Sequence, residues 1–63
     1  MAKFEMYKDS HGDFRWSLKL RNGLSIASSG EGYKTKAAAQ NAIAAVKREA
    51  PAADVDDQTA TTF

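Results

Sequence analysis

Cysteine is absent from this chain of 63 residues, which excludes disulfide bonds and thiolate metal sites. The sequence contains no run of eighteen apolar residues, which is about the length needed to cross a membrane. It also does not open with basic residues followed by an apolar run, the pattern of a signal peptide. Nine lysine and arginine residues against eight acidic ones give a formal charge of +1, which does not by itself indicate a polyanionic partner. The sequence therefore predicts a soluble, cytoplasmic protein in reducing surroundings.

The short length predicts a single domain with a thin core. A domain of this size buries only about 60% of the surface that its unfolded chain exposes. Small domains usually need a further source of stability, and without cysteine the leading one is association with a second copy.

Alternation of apolar and polar residues predicts three antiparallel strands in a meander. The strands are "KFEMYK" (residues 3–8), "FRWSLKL" (14–20) and "LSIASS" (24–29). Turn formers separate the first two in "DSHGD", and Asn22-Gly23 separates the next two, where a two-residue type I′ turn is expected. The apolar face is expected to comprise Phe4, Met6, Phe14, Trp16, Leu18, Leu20, Leu24 and Ile26.

After Gly32 the period changes to 3.6 and predicts an amphipathic helix. Ala39, Ile43, Val46 and Ala50 fall on one stripe. Thr35 is the expected N-cap, and Pro51 marks the end because its ring cannot continue the helix. The fold class is therefore α+β, with three antiparallel strands followed by one helix on one sheet face (βββα).

The domain is expected to span residues 1–51, followed by a polar tail over 52–63. Val55 is the one tail residue able to start a short added strand, and disorder is expected beyond about residue 58.

Two features predict a homodimer. A three-stranded sheet has two open edges, and alanines sit where a solvated helix usually carries charge: Ala37, Ala38, Ala44 and Ala45. High helix propensity is the alternative explanation of the alanines.

Combined motifs over residues 3–51 resemble a known family. They are the "KFE.YKD" start, "G.FRW.LK..NG..IA.S", "EGY" with a hydroxyl residue and a lysine, and "A..AI..VK" in the helix. The chain resembles the YegP-like family of small uncharacterised prokaryotic proteins of unknown function. The resemblance implies a repeat of three strands and one helix, found as a tandem pair or as a single copy that dimerises. This chain has one copy, and the resemblance implies no catalytic residues.

The stretch "GEGYKT" before the helix looks like a phosphate loop but lacks the required pattern. A P-loop needs G-x-x-x-x-G-K-[ST], and a dinucleotide fingerprint needs a third glycine within a βαβ unit. A weaker anion hypothesis remains, because Lys34 and Lys36 flank the Thr35 cap where helices ordinarily attract acids. The alternative is that both lysines are simply solvated.

A second candidate surface is the strand face that carries Arg15, Lys19 and Arg21, with Lys3 and Tyr7 across the hairpin. Sheet-type RNA binders contact phosphates and stack bases in this way, but they use several exposed aromatic residues. Here the other aromatic residues alternate onto the apolar face, so a solvated cationic face moderated by Glu5 is the competing interpretation. Nucleic-acid binding is thus the runner-up.

Catalysis has little support in the sequence. His11 lies between Asp9 and Asp13, yet turn chemistry explains all three, and the spacing makes neither a calcium loop nor a zinc site. Ser28 and Ser29 lack a nucleophile elbow. The sequence predicts no catalytic, metal or cofactor site and a non-enzymatic homodimeric binding or structural module. An enzyme with a site shared across the dimer interface is a distant alternative.

Overall fold

The computed structural model describes residues 1–59 and places β2 at the centre of a three-stranded antiparallel sheet. The elements are β1 (Lys3–Lys8), β2 (Phe14–Lys19), β3 (Ser25–Ser28) and α1 (Lys36–Glu49), followed by a 3-10 turn at Ala50–Ala52. The strand order is β1-β2-β3, and α1 packs against β2. The predicted α+β class with three strands and one helix is confirmed.

The centre of the core is small. Among residues 1–59 the buried hydrophobic residues are Trp16, 6% exposed, and Ala39, which is fully enclosed. Phe4 meets Trp16 edge to face at a centroid distance of 5.4 Å, an arrangement that aromatic quadrupoles favour. The indole Nε1 of Trp16 is buried without a hydrogen-bond partner in the described structure. The predicted thin core is thus present.

The loop between β1 and β2 is built around the carboxylate of Asp9. Its Oδ1 accepts hydrogen bonds from the backbone N–H groups of His11 at 2.8 Å and Asp13 at 3.0 Å. Gly12 adopts a left-handed φ of 81°, which glycine takes without steric cost. Turn chemistry therefore accounts for "DSHGD", as the sequence predicts.

The second hairpin differs from the predicted two-residue turn. Gly23 donates to the carbonyl of Leu20 at 2.9 Å, Leu20 donates to the carbonyl of Leu24 at 2.8 Å, and the φ of Gly23 is 89°. These bonds close a three-residue loop, Arg21 to Gly23, in which a turn is followed by a left-handed glycine. The hairpin prediction is correct, but the predicted type I′ turn is wrong, because the side chain of Asn22 accepts from the N–H of Leu24 and the glycine occupies the last loop position.

A bulge in β3 changes which side chains face the helix. Lys19 pairs with Ser25, but Leu18 pairs with Ala27, so Ile26 is the extra residue. Leu24 is 57% exposed and Ile26 53% exposed. Ser29, opposite Trp16, is instead buried. The expectation that Leu24 and Ile26 continue the buried face is therefore wrong for the single chain.

The connector to the helix returns alongside β2. Phe14 and Tyr33 exchange two backbone hydrogen bonds of 2.8 Å, and Ser29 bonds Trp16 through both its backbone and its hydroxyl. Thr35 caps α1 as predicted, because its Oγ1 accepts from the N–H of Ala38 at 3.0 Å. The last α-helical residue, Glu49, lies just before Pro51, as expected.

The tail after the 3-10 turn has no helix or strand over residues 53–59. Val55 is 93% exposed. Three expectations stay predictions: the domain boundary at residue 51, the short strand near Val55 and the disorder beyond residue 58. Residues 60–63, to which most of the disorder prediction applies, lie outside the described residues. Of the outward alanines, Ala37 and Ala44 are exposed, whereas Ala38 and Ala45 are half-buried.

Candidate functional site

The strand register assembles a charged surface on the sheet face opposite the helix. Lys3 lies across from Lys19, and Tyr7 lies across from Arg15. Two residues of the predicted cationic strand face, Arg15 and Lys19, therefore share this surface. The third, Arg21, comes from the hairpin loop beyond β2 and is exposed.

Arg15 is already occupied by an internal partner. Its Nε lies 2.6 Å from Oδ2 of Asp9, and both side chains are partly buried. This bond, with the backbone N–H groups of Asp13 and His11, lowers the pKa of Asp9 to about 2, and Asp9 in turn raises the pKa of Arg15. Arg15 therefore holds the β1–β2 loop in place and contributes less to any exposed anion site.

Lys3 and Lys19 share one carboxylate. Nζ of Lys19 lies 3.2 Å from Glu5 and Nζ of Lys3 lies 3.5 Å from it. The ammonium group of Lys19 has the larger effect in lowering the pKa of Glu5, and that of Lys3 lowers it further. These three side chains line a shallow cleft of about 360 Å³ that Arg21 also borders. The structure thus brings Lys19 and Arg21 together at the hairpin end of the sheet.

The lysines at the start of the helix do not converge on one point. Lys34 lies 3.5 Å from Oδ1 of Asp13, and the Thr35 hydroxyl is used by the cap. Lys36 instead borders a cleft of about 230 Å³ whose other lining residues are Met6, Tyr7, Lys8 and Phe14. Nζ of Lys8 lies 5.1 Å from the centroid of the Phe14 ring.

Sequence reasoning missed Lys8 and two acidic partners of the cationic residues, Asp9 and Asp13. Alternation places Lys8 on the apolar face opposite Phe14, so the strand pattern contained that signal. The pairs Arg15 with Asp9 and Lys34 with Asp13 depend on loop geometry and have no signature in spacing alone. Within residues 1–59, no three His, Cys, Asp or Glu side chains are grouped so that they could hold a metal ion.

Comparison with known proteins assigns the family. The model of the domain of unknown function DUF1508 matches residues 9–57. The chain belongs to this family. This confirms the resemblance to a small uncharacterised prokaryotic family. No helix within the described part of this DUF1508 member is long and apolar enough to cross a membrane.

Relatives of this DUF1508 member occur in bacteria and archaea. It is 47% identical to the UPF0339 protein Atu5359 of Agrobacterium fabrum over 98% of both chains. It is 48% identical to a UPF0339 protein in the ptx operon 5′ region of Stutzerimonas stutzeri, where the match covers 76% of this chain and 42% of that one. A solution NMR structure of a protein from Haloferax volcanii shares its fold with a TM-score of 0.84 and 46% identity, over 89% of this chain and 93% of that one.

Proposed function

We propose that this DUF1508 member is a non-enzymatic structural or binding module of the cytoplasm that works as a homodimer, with the second copy covering the β3 edge. The observation that carries the proposal is the state of that edge. All four residues of β3 are exposed, and no charged residue occurs from Asn22 to Gly30. Leu24 and Ile26 lie exposed beside this edge.

The opposite edge of the sheet shows the contrast. β1 carries Lys3, Glu5 and Lys8, and charged side chains on an edge strand discourage pairing with another chain. β3 has no such protection and no proline. An uncharged edge with apolar side chains is a template for a partner strand, so the β3 side is the better contact surface.

The size of the core supports the same conclusion. Trp16 and Ala39 are the buried apolar residues of the described chain, and much apolar surface stays in water. Each square ångström of apolar surface removed from water contributes roughly 25 cal/mol. The Stutzerimonas relative is consistent with pairing of two such units, because more than half of that chain lies outside the match and has room for a second domain.

The absence of catalysis is part of the proposal. The two carboxylates that flank His11 are already engaged. The carboxylate of Asp9 accepts hydrogen bonds from the loop backbone and from Arg15, and the carboxylate of Asp13 accepts one from Lys34. They therefore have structural roles in the β1–β2 loop. A general acid or base must instead reach a substrate proton directly or through one water.

Sedimentation equilibrium at tens of micromolar tests the assembly. The native chain should sediment as a dimer, and Ile26→Asp should be a folded monomer because a charge at the uncharged edge opposes pairing. Ala44→Asp, on the exposed side of the helix, is the matched control and should remain dimeric.

Each other outcome has a definite meaning. A monomeric native chain would overturn the homodimer. Dissociation by Ala44→Asp but not by Ile26→Asp would move the interface to the helices and overturn the β3 contact. Val55→Asp, measured in the same way, tests whether the tail takes part in the assembly through a short added strand.

A further inference from the structure

We propose that the cleft between Lys3, Lys19 and Arg21 binds the phosphate group of a small molecule. The cleft lies on the sheet face opposite the helix, at the end where β1 begins and the β2–β3 hairpin turns. Its volume is about 360 Å³, and its lining residues are Met1, Lys3, Glu5, Lys19, Leu20, Arg21 and Gly23. This site belongs to one protomer and does not depend on the proposed dimer.

Cationic side chains outnumber carboxylates in this cleft by three to one. Lys3 and Lys19 are directly opposite in the β1–β2 register, an arrangement of like charges that opposes pairing. Glu5 contacts both ammonium groups, at 3.5 and 3.2 Å. Arg21 has no carboxylate within 4.0 Å among the described residues. The cleft therefore carries a local excess of about two positive charges.

The donor set matches a phosphate group. A guanidinium presents parallel N–H groups that bind two phosphate oxygens, and lysine ammonium groups act as adaptable point charges beside it. A phosphate monoester carries about the same amount of negative charge as the local positive excess. Its binding would also remove the repulsion between the paired lysines.

The surroundings of the cleft indicate a small organic phosphate. A second shallow cleft of about 380 Å³ adjoins it and is lined by Met1, Ala2, Leu20, Arg21 and Asn22. Met1, Leu20 and Arg21 line both clefts, so an anionic group in the first cleft leaves apolar surface beside it for the rest of the ligand. A nucleic-acid strand crossing the same face would meet the carboxylate of Glu5, and Arg15 further along is already bonded to Asp9.

Titration with pyrophosphate at low salt, followed by amide chemical shifts of the ¹⁵N-labelled chain, tests the site. We expect the largest shifts at Lys3 and over residues 19–23. Arg21→Ala should weaken binding about tenfold, the effect of one lost charged hydrogen bond. Arg48→Ala, which removes the same charge at the far end of the helix, should leave the affinity within about twofold.

Glu5 provides the sharper test, because it competes with the ligand for Lys3 and Lys19. Glu5→Gln should tighten pyrophosphate binding about fivefold, the effect of removing one unit charge at about 4 Å in water. Glu49→Gln is the matched control, since it also removes one acid but lies beside Arg48. Equal effects of the two substitutions would show only general charge attraction and overturn the site.

Two further outcomes bear on the proposal. Absence of localised shifts at tens of millimolar pyrophosphate would overturn it. If a single-stranded DNA of twelve nucleotides binds where pyrophosphate does not, and shifts Tyr7 and Arg15 as well, the ligand is a nucleic-acid backbone and the small-molecule proposal is wrong. Pyrophosphate binding retained in Ile26→Asp would support the site even if the homodimer proposal failed.

Discussion

Replacing Gly32 by alanine should destabilise the fold, although its φ is not left-handed. A Cβ built at this position would lie 2.7 Å from Cβ of Asp13 and 2.7 Å from its Oδ2. Ordinary contacts between carbon atoms begin near 3.5 Å, so the two segments would have to separate by roughly 0.8 Å. The clash involves a Cβ atom, and a change of side-chain rotamer cannot relieve it.

Neither segment can move without losing hydrogen bonds. Asp13 is fixed to Asp9 by bonds of 2.9 and 3.0 Å, and the next residues on each side, Phe14 and Tyr33, exchange two bonds of 2.8 Å. Overpacking costs about 1–3 kcal/mol, and each lost hydrogen bond costs about 1 kcal/mol. Gly32→Ala should therefore lower the free energy of unfolding by about 2 kcal/mol, or lower Tm by roughly 8–16 °C in a domain of this size.

Urea and thermal denaturation followed by circular dichroism measure this change, and Gly30 supplies the matched control. A Cβ at Gly30 has no atom within 4 Å and its φ is also not left-handed, so Gly30→Ala should lie within about 0.5 kcal/mol of the native chain. If Gly32→Ala and Gly30→Ala unfold at the same temperature as the native chain, the close approach of Gly32 to Asp13 is not a constraint and the reasoning is wrong.

Three further results are expected. Asp9 has a folded-state pKa of about 2, below its ordinary value of 3.8, so its ionised form stabilises the fold above pH 3.8 and this stability is lost as the pH falls towards 2. Tm measured against pH should show this loss, and Asp9→Asn should abolish this part of the pH dependence. Thr35→Ala removes the cap of α1 and should cost about 1 kcal/mol by urea denaturation, whereas Thr35→Ser should cost much less; equal losses would contradict the capping role. Ala39→Leu adds volume at a fully enclosed position and should cost about 1–3 kcal/mol by the same measurement, while Ala37→Leu at an exposed position should not.

Local patterns predicted the elements because each depends on neighbours in sequence. Alternation identified β1 and β2, the change of period identified α1, and Thr35 and Pro51 marked its limits because capping and ring geometry act within one helical turn. The glycines illustrate the limit of such reasoning. Gly30 and Gly32 both lie in the connector before α1, but a Cβ at Gly30 would meet open space, whereas one at Gly32 would meet Asp13, nineteen residues earlier.

The candidate site was predicted in part. The sequence placed Arg15, Lys19 and Arg21 on one face with Lys3 across the hairpin, and the structure gathers Lys3, Lys19 and Arg21 around one cleft. The occupation of Arg15 by Asp9 and the sharing of Glu5 by two lysines were not foreseen. Side-chain pairing of this kind depends on distances across strands and loops, which residue spacing along one strand does not specify.

The sequence by itself determined the α+β class, the order and approximate limits of the elements, the cap of α1 and the family. These follow from periodicity, from turn chemistry and from motifs that act over a few residues. Only the tertiary structure decided which side chains of β3 face the helix, because a three-residue loop and a one-residue bulge changed the register of β3. Since side chains alternate with a period of two, the bulge leaves Ile26 exposed and places Ser29 opposite Trp16, where it is buried. Leu24 lies before the bulge, pairs with Leu20 at the hairpin and is exposed there.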